Sequence, residues 1–108
     1  MNDPGFDLLK SVMDAAALRQ RVFAHNLANL NTPGFRRMEV RFEEELRRSL
    51  ESGGAPKAPR MVEGDTGPVL ELETTGMTKS ALLYDTAAVA LQAKVALLRL
   101  AMGRPGAV

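Results

Sequence analysis

The sequence predicts an all-α protein in which long N- and C-terminal helices pair as an antiparallel coiled-coil hairpin, with a short middle helix and an irregular loop between them. Three observations carry this. Near the N-terminus Phe6, Leu9, Met13, Ala16, Gln20, Phe23, Leu27 and Leu30 recur at alternating spacings of three and four, and all but Gln20 are apolar. Met77, Ala81, Tyr84, Ala88, Leu91, Val95, Leu98 and Met102 repeat that spacing near the C-terminus without a polar break. Such heptad rows are seams for helix pairing. The kind of hydrophobe agrees: 45% of residues are hydrophobic but only 5% aromatic, with no tryptophan, which suits helix on helix better than a β sandwich. Finally, the helix breakers gather in the middle. At 108 residues the chain is one domain, read as a helix over 1–31, a turn, short helix, loop and extended segment over 32–73, and a helix over 74–103.

The first helix has a start signal in Asp3-Pro4, a capping aspartate followed by a proline whose missing N–H is harmless in the first turn. Leu8, Val12, Ala15, Leu18 and Val22 widen its apolar stripe beyond the seam. A lone helix so broadly apolar must meet a partner. It is stopped by the stretch from His25 to Phe35, HNLANLNTPGF. Pro33 disfavours helical geometry at Thr32 and lacks a donor, and Gly34 can take the positive φ of a type II turn, so the helix ends by about Asn31. Asn26 and Asn29 are expected to bond the last carbonyls or to adopt a left-handed cap conformation.

With Asn26, Ala28, Asn29, Thr32, Pro33, Gly34 and Phe35 in this order near the N-terminus, the stretch resembles the signature of bacterial flagellar rod and hook proteins, the axial family exported by the flagellar type III apparatus. Val40-Arg41-Phe42-Glu43-Glu44-Glu45-Leu46 and Ser80-Ala81-Leu82-Leu83-Tyr84 extend the resemblance to roughly two thirds of the chain. Departures are Ser80 where an asparagine is usual, Gly76 near the start of the last helix, and a shorter middle. The resemblance implies a structural subunit of the proximal rod in the basal body. Its implied partners are copies of itself, other rod and basal-body proteins, and the export apparatus. The implied location is the periplasmic rod, reached without a cleaved signal peptide.

In the middle, Arg36 to Leu50 alternates arginine with glutamate, and Phe42, Leu46 and Leu50 mark one edge of a short helix. Ser52 to Gly67, rich in glycine and proline, reads as a mobile loop. Pro68 to Glu73 reads as a short extended segment with Leu70 and Leu72 on one side and Glu71 and Glu73 on the other. Thr74 or Thr75 is then expected to cap the last helix, with Gly103, Pro105 and Gly106 ending it. Ala87, Ala90, Ala93 and Ala96 offer a second close-packing face.

Other classes of function find little support. Fourteen basic and thirteen acidic residues leave a net charge of +1, and the arginine run is matched by glutamates with no row of stacking aromatics, so nucleic acid is not an expected partner. There is no cysteine, a single histidine at His25 read as a packed or surface residue, and no nucleotide-binding or protease motif. Hence no catalytic residue, cofactor, metal or small-molecule substrate is expected. Met1 to Gly5 lacks the basic start and apolar core of a secretory signal, and no run is expected to reach the roughly 20 apolar residues of a membrane span. The reading from a different class is a cytosolic helical adaptor or chaperone-like module that caps a partner's helix with the same apolar faces.

Overall fold

The computed structural model describes residues 3–103; the terminal Pro105 and Gly106 of the expected stop lie outside them. Five elements follow in order: α1 (Pro4–Ala28), β1 (Met38–Arg41), α2 (Glu43–Ser52), β2 (Arg60–Glu63) and α3 (Leu70–Met102). The long terminal helices pack on one another, as the two seams predict. They run antiparallel, since Asp3 of the α1 cap meets Lys94 of α3 at 3.1 Å while Asn26 near the other end of α1 meets Glu73 at 3.0 Å. The result is a rod of 67 × 26 × 15 Å.

The start of α1 is as its sequence dictates, with the Asp3 carboxylate accepting the Gly5 N–H at 2.8 Å. The helix closes at Ala28, three residues before the expected limit, because Asn29 leaves helical geometry at φ −104°, ψ 19°. Neither asparagine takes a left-handed conformation, and every positive φ among the described residues belongs to glycine.

The middle departs most from expectation. The short helix expected around Phe42, Leu46 and Leu50 is α2, beginning at Glu43, but the charged run ahead of it holds an unexpected strand, Met38–Arg41. The expected loop supplies the strand's partner, β2, in the antiparallel register Met38↔Glu63, Glu39↔Val62, Val40↔Met61, Arg41↔Arg60. Alternation explains the pairing. Val40 and Phe42, two apart, point inward and are buried, whereas the expected helical edge fails at Leu50, which is exposed.

Of the segment read as extended from Pro68 to Glu73, Val69 is extended, but Leu70 to Glu73 form the first turn of α3, so neither Thr74 nor Thr75 is its cap. Their position is inside the helix, where the Thr74 hydroxyl donates to the Leu70 carbonyl at 2.8 Å. Val69 precedes the helix, and its N–H is taken by the Glu73 carboxylate at 2.9 Å, in the manner of the acidic half of a capping box.

The contact face of α3 is rotated from the expected seam. Its buried residues are Glu73, Ser80 and Ala87, seven apart, while Met77, Ala81, Ala88, Leu91, Val95 and Leu98 are half-buried beside them and Tyr84 and Met102 are exposed. On α1 the counterpart is Ala16, fully buried, flanked by half-buried Phe6, Leu9, Met13, Phe23, Leu27 and Leu30. Small residues at the centre let the helices approach, and the large ones cover the flanks. Gly76 shows this most sharply: a Cβ there would fall inside the Phe23 ring. Ala15 and Val22, from the wider stripe of α1, are also buried. Val22 and Leu18 share an apolar hollow with Met38 and Met61 of the hairpin, so α1 is covered on a second side by the sheet.

The outward side of α3 has no such cover. Leu82, Val89, Leu97 and Leu100 are each more than 60% exposed. Contrary to expectation, α3 is long and apolar enough by length and composition to cross a membrane, and little of that stretch is buried.

Candidate functional site

One residue of the family-like stretch, Asn26, sits where α1, β1 and the start of α3 meet. Asn26, on the last turns of α1, has no exposed surface. Its carboxamide treats Met38 as a strand neighbour would, donating from Nδ2 to the Met38 carbonyl at 2.9 Å and accepting the Met38 N–H on Oδ1 at 2.8 Å. The other Nδ2 hydrogen goes to Glu73 Oε1 at 3.0 Å. An asparagine is the right length and has two donors and an acceptor in one plane, so it can pin the unpaired edge of β1 to a helix.

Glu73 is the second member and is also fully buried. The Arg37 guanidinium grips it in a two-pronged pair, Nε to Oε2 at 3.0 Å and Nη2 to Oε1 at 2.9 Å. With Asn26 and the Val69 N–H, the carboxylate accepts four bonds. Burial pushes the Glu73 carboxyl up, but Arg37, the Val69 N–H and Asn26 together outweigh it and hold the group below the ordinary carboxylate range. Arg37 moves the opposite way, raised by its bond to Glu73 against its own desolvation, with Glu39 adding a contact at 3.1 Å. No buried side-chain polar atom among the described residues lacks a partner. Such a cluster is chemically quiet: it holds three segments together and offers no free acid, base or nucleophile.

The turn supports this junction from outside. Asn29 Nδ2 bonds the His25 carbonyl at 2.9 Å, so this asparagine does bond a last-turn carbonyl, while Asn26 does not. Thr32 donates its hydroxyl to Asn29 Oδ1 at 3.1 Å. The Phe35 N–H returns to the Thr32 carbonyl at 3.2 Å across Pro33 and Gly34, and Gly34 has φ +75°, the geometry of the expected type II turn. Phe35 places its ring edge-on to His25, 5.5 Å between centroids. Ala28, Thr32, Pro33 and Gly34 are all exposed.

The seam residues are spread along the rod rather than gathered here. Phe6 lies at the far end, under the Lys94 ammonium at 5.6 Å. Arg37 and Glu73, absent from the sequence-based candidates, are the charged heart of the junction. For Glu73 a signal exists: Glu71 and Glu73 following Pro68-Val69 make an acidic first turn, a helix-start pattern that competes with the alternation of Leu70 and Leu72. Arg37 carries no such signal, sitting in a run of five similar arginines.

Residues 9–36 match the family model of the flagella basal body rod protein, so the matched span includes Asn26 and the whole turn through Phe35. The chain is 48% identical over 44 residues, 41% of its length, to the flagellar basal body rod protein FlgB of Borrelia hermsii. It is 39% identical over 52 residues, 46% of its length, to the FlgB of Borreliella burgdorferi. These stretches span only about a third of the relatives' own lengths, 33% and 38%. Over residues 9–36, which carry Asn26 and the turn, the chain is similar to the flagella basal body rod proteins, and the curated proteins it resembles are FlgB-type rod proteins.

Proposed function

We propose that the chain is a structural subunit of the bacterial flagellar basal-body rod, polymerising through its terminal helices with copies of itself and with other axial proteins. The observation that carries this reading is the pairing of a rod-family N-terminal segment, residues 9–36, with a long helix whose outward face is apolar and uncovered. A subunit of a filament needs both a fixed internal geometry and a face left unsatisfied until assembly. The junction of Asn26, Arg37 and Glu73 supplies the first, since it sets how the hairpin leaves the helix pair. The outward side of α3 supplies the second, with Leu82, Val89 and Leu100 exposed, and Tyr84 and Met102 of the expected seam are exposed on the side nearer α1. On this reading the chain works in the periplasmic rod and reaches it through the flagellar export apparatus, and its role is structural rather than catalytic.

The test is fractionation and motility. An epitope-tagged chain should copurify with detergent-washed basal bodies, and cells lacking it should be without filaments. Recovery of the tagged chain only in the soluble cytosol, with normal motility in its absence, would favour a cytosolic adaptor and reject the rod.

A further inference from the structure

The uncovered face of α3 has internal order. Leu82, Thr86, Val89, Ala93, Ala96 and Leu100 step four, three, four, three, four along the helix and are all exposed. This is a second heptad row, on the opposite side from the buried row of Glu73, Ser80 and Ala87. Its one polar member brings no cost, because the Thr86 hydroxyl is already bonded to the Leu82 carbonyl at 2.8 Å and leaves its methyl to the row. At 1.5 Å per residue the row is about 27 Å long.

The spacing reads the same in both directions about Leu91. In an antiparallel pair of two copies Leu82 therefore falls opposite Leu100, Thr86 opposite Ala96, and Val89 opposite Ala93. The residues flanking the row decide between orientations. On one flank Asp85, Gln92 and Arg99 recur at seven, all exposed. Neither Asp85 nor Arg99 forms an ion pair among the described residues. Antiparallel pairing brings like flanks together, so Asp85 meets Arg99 of the second copy at one end, Arg99 meets Asp85 at the other, and the neutral Gln92 residues meet in the middle. Parallel pairing would set this flank against Leu83, Ala90 and Leu97, leaving both charges facing apolar side chains.

We propose that two copies of the chain associate in solution through this face of α3 as an antiparallel, two-fold symmetric pair. Such a contact closes on itself and cannot propagate. It would shield the apolar face of free subunits and would have to open before a head-to-tail polymer could use the same surface. The proposal does not depend on the rod reading, since any function leaves the face to be covered.

The chain has no cysteine, so single cysteines can report orientation. Thr86→Cys mixed with Ala96→Cys of different tag length should oxidise to the mixed dimer, while each variant alone gives little product. Equal or greater disulfide from Thr86→Cys alone would show a parallel or head-to-tail contact and overturn the proposal. Sedimentation of the full chain should show a dimer that Val89→Asp abolishes; since Val89 is 63% exposed, the circular dichroism of that variant should match that of the unaltered chain diluted until it is monomeric. Asp85→Arg should weaken the dimer by about threefold to tenfold, and adding Arg99→Asp should restore it. A chain that is monomeric at every concentration, or one that binds phosphatidylcholine vesicles through this face without dimerising, refutes the pairing.

Discussion

Glu73 is a charge with no access to water whose four hydrogen bonds all come from other segments or from the residue ahead of its helix. Removing one partner strands the other, so Glu73→Ala or Arg37→Ala should each destabilise the fold by about 3–5 kcal/mol in chemical denaturation. The double change Arg37→Leu, Glu73→Leu should cost less than the sum of the single changes, because neither charge is left alone. The pair also sets an acid limit. With the Glu73 carboxyl held below its ordinary value of 4.5, the folded state binds that proton more weakly than the unfolded chain. Its stabilisation is complete above the ordinary carboxylate range and fades as pH falls through and below it. Melting temperature should therefore drop between about pH 5 and pH 3, and less steeply in Glu73→Gln. Gly76 makes a separate prediction: Gly76→Val drives a branched side chain into the Phe23 ring and should cost about 1–3 kcal/mol by overpacking, whereas Phe23→Leu in the same background should recover part of it.

At the scale of elements, the hairpin is the segment most dependent on its neighbours. A two-stranded sheet of four residues a side is marginal alone. It is held by Asn26 to Met38, by Arg37 to Glu73, and by the Arg19 side chain donating to the Val40 carbonyl at 3.1 Å. The connection from Gly53 to Pro59 is different: it is largely exposed and lies between α2 and β2. Shortening it by about two or three residues should change stability by under roughly 0.5 kcal/mol, because closure cost varies slowly with length. Deleting Arg60–Glu63, in the same glycine- and proline-rich stretch, should expose the edge of β1 and raise amide exchange at Met38–Arg41. Protection unchanged by that deletion would mean that the asparagine alone holds β1.

As a whole molecule the protein is a helix pair with much of its apolar surface outside. The buried hydrophobic residues along the two helices are few and small, Ala15, Ala16, Val22 and Ala87, while large residues such as Leu82 and Leu100 face solvent. Such a chain has little core per residue, so its order should depend on what covers it. Circular dichroism across a dilution series should show helix content rising with concentration. A cooperative melt identical at every concentration would contradict this. Leu91→Asp places a charge among the half-buried flank residues beside the α1 contact and should cost several kcal/mol, on the order of other unpaired buried charges, leaving cells expressing it without filaments under the rod reading.

Sequence alone determined the two long helices, the cap at Asp3, the type II turn at Gly34 and the likeness of the N-terminal segment to flagellar rod proteins. Each of these is written in local chemistry: a periodicity, a capping oxygen, a residue that tolerates positive φ. What only the tertiary structure decided is the partner each local choice meets. The run after Phe35 becomes a strand because a segment some twenty residues later pairs with it, a contact no local propensity contains. The face of α3 turned toward α1 is the row with small side chains, since close approach at Gly76, Ser80 and Ala87 gains more contact than centring the larger hydrophobes. Asn26 and Glu73, ordinary cap and surface residues by type, are buried because together with Arg37 and Met38 they satisfy one another completely, and that mutual satisfaction exists only once three distant segments have met.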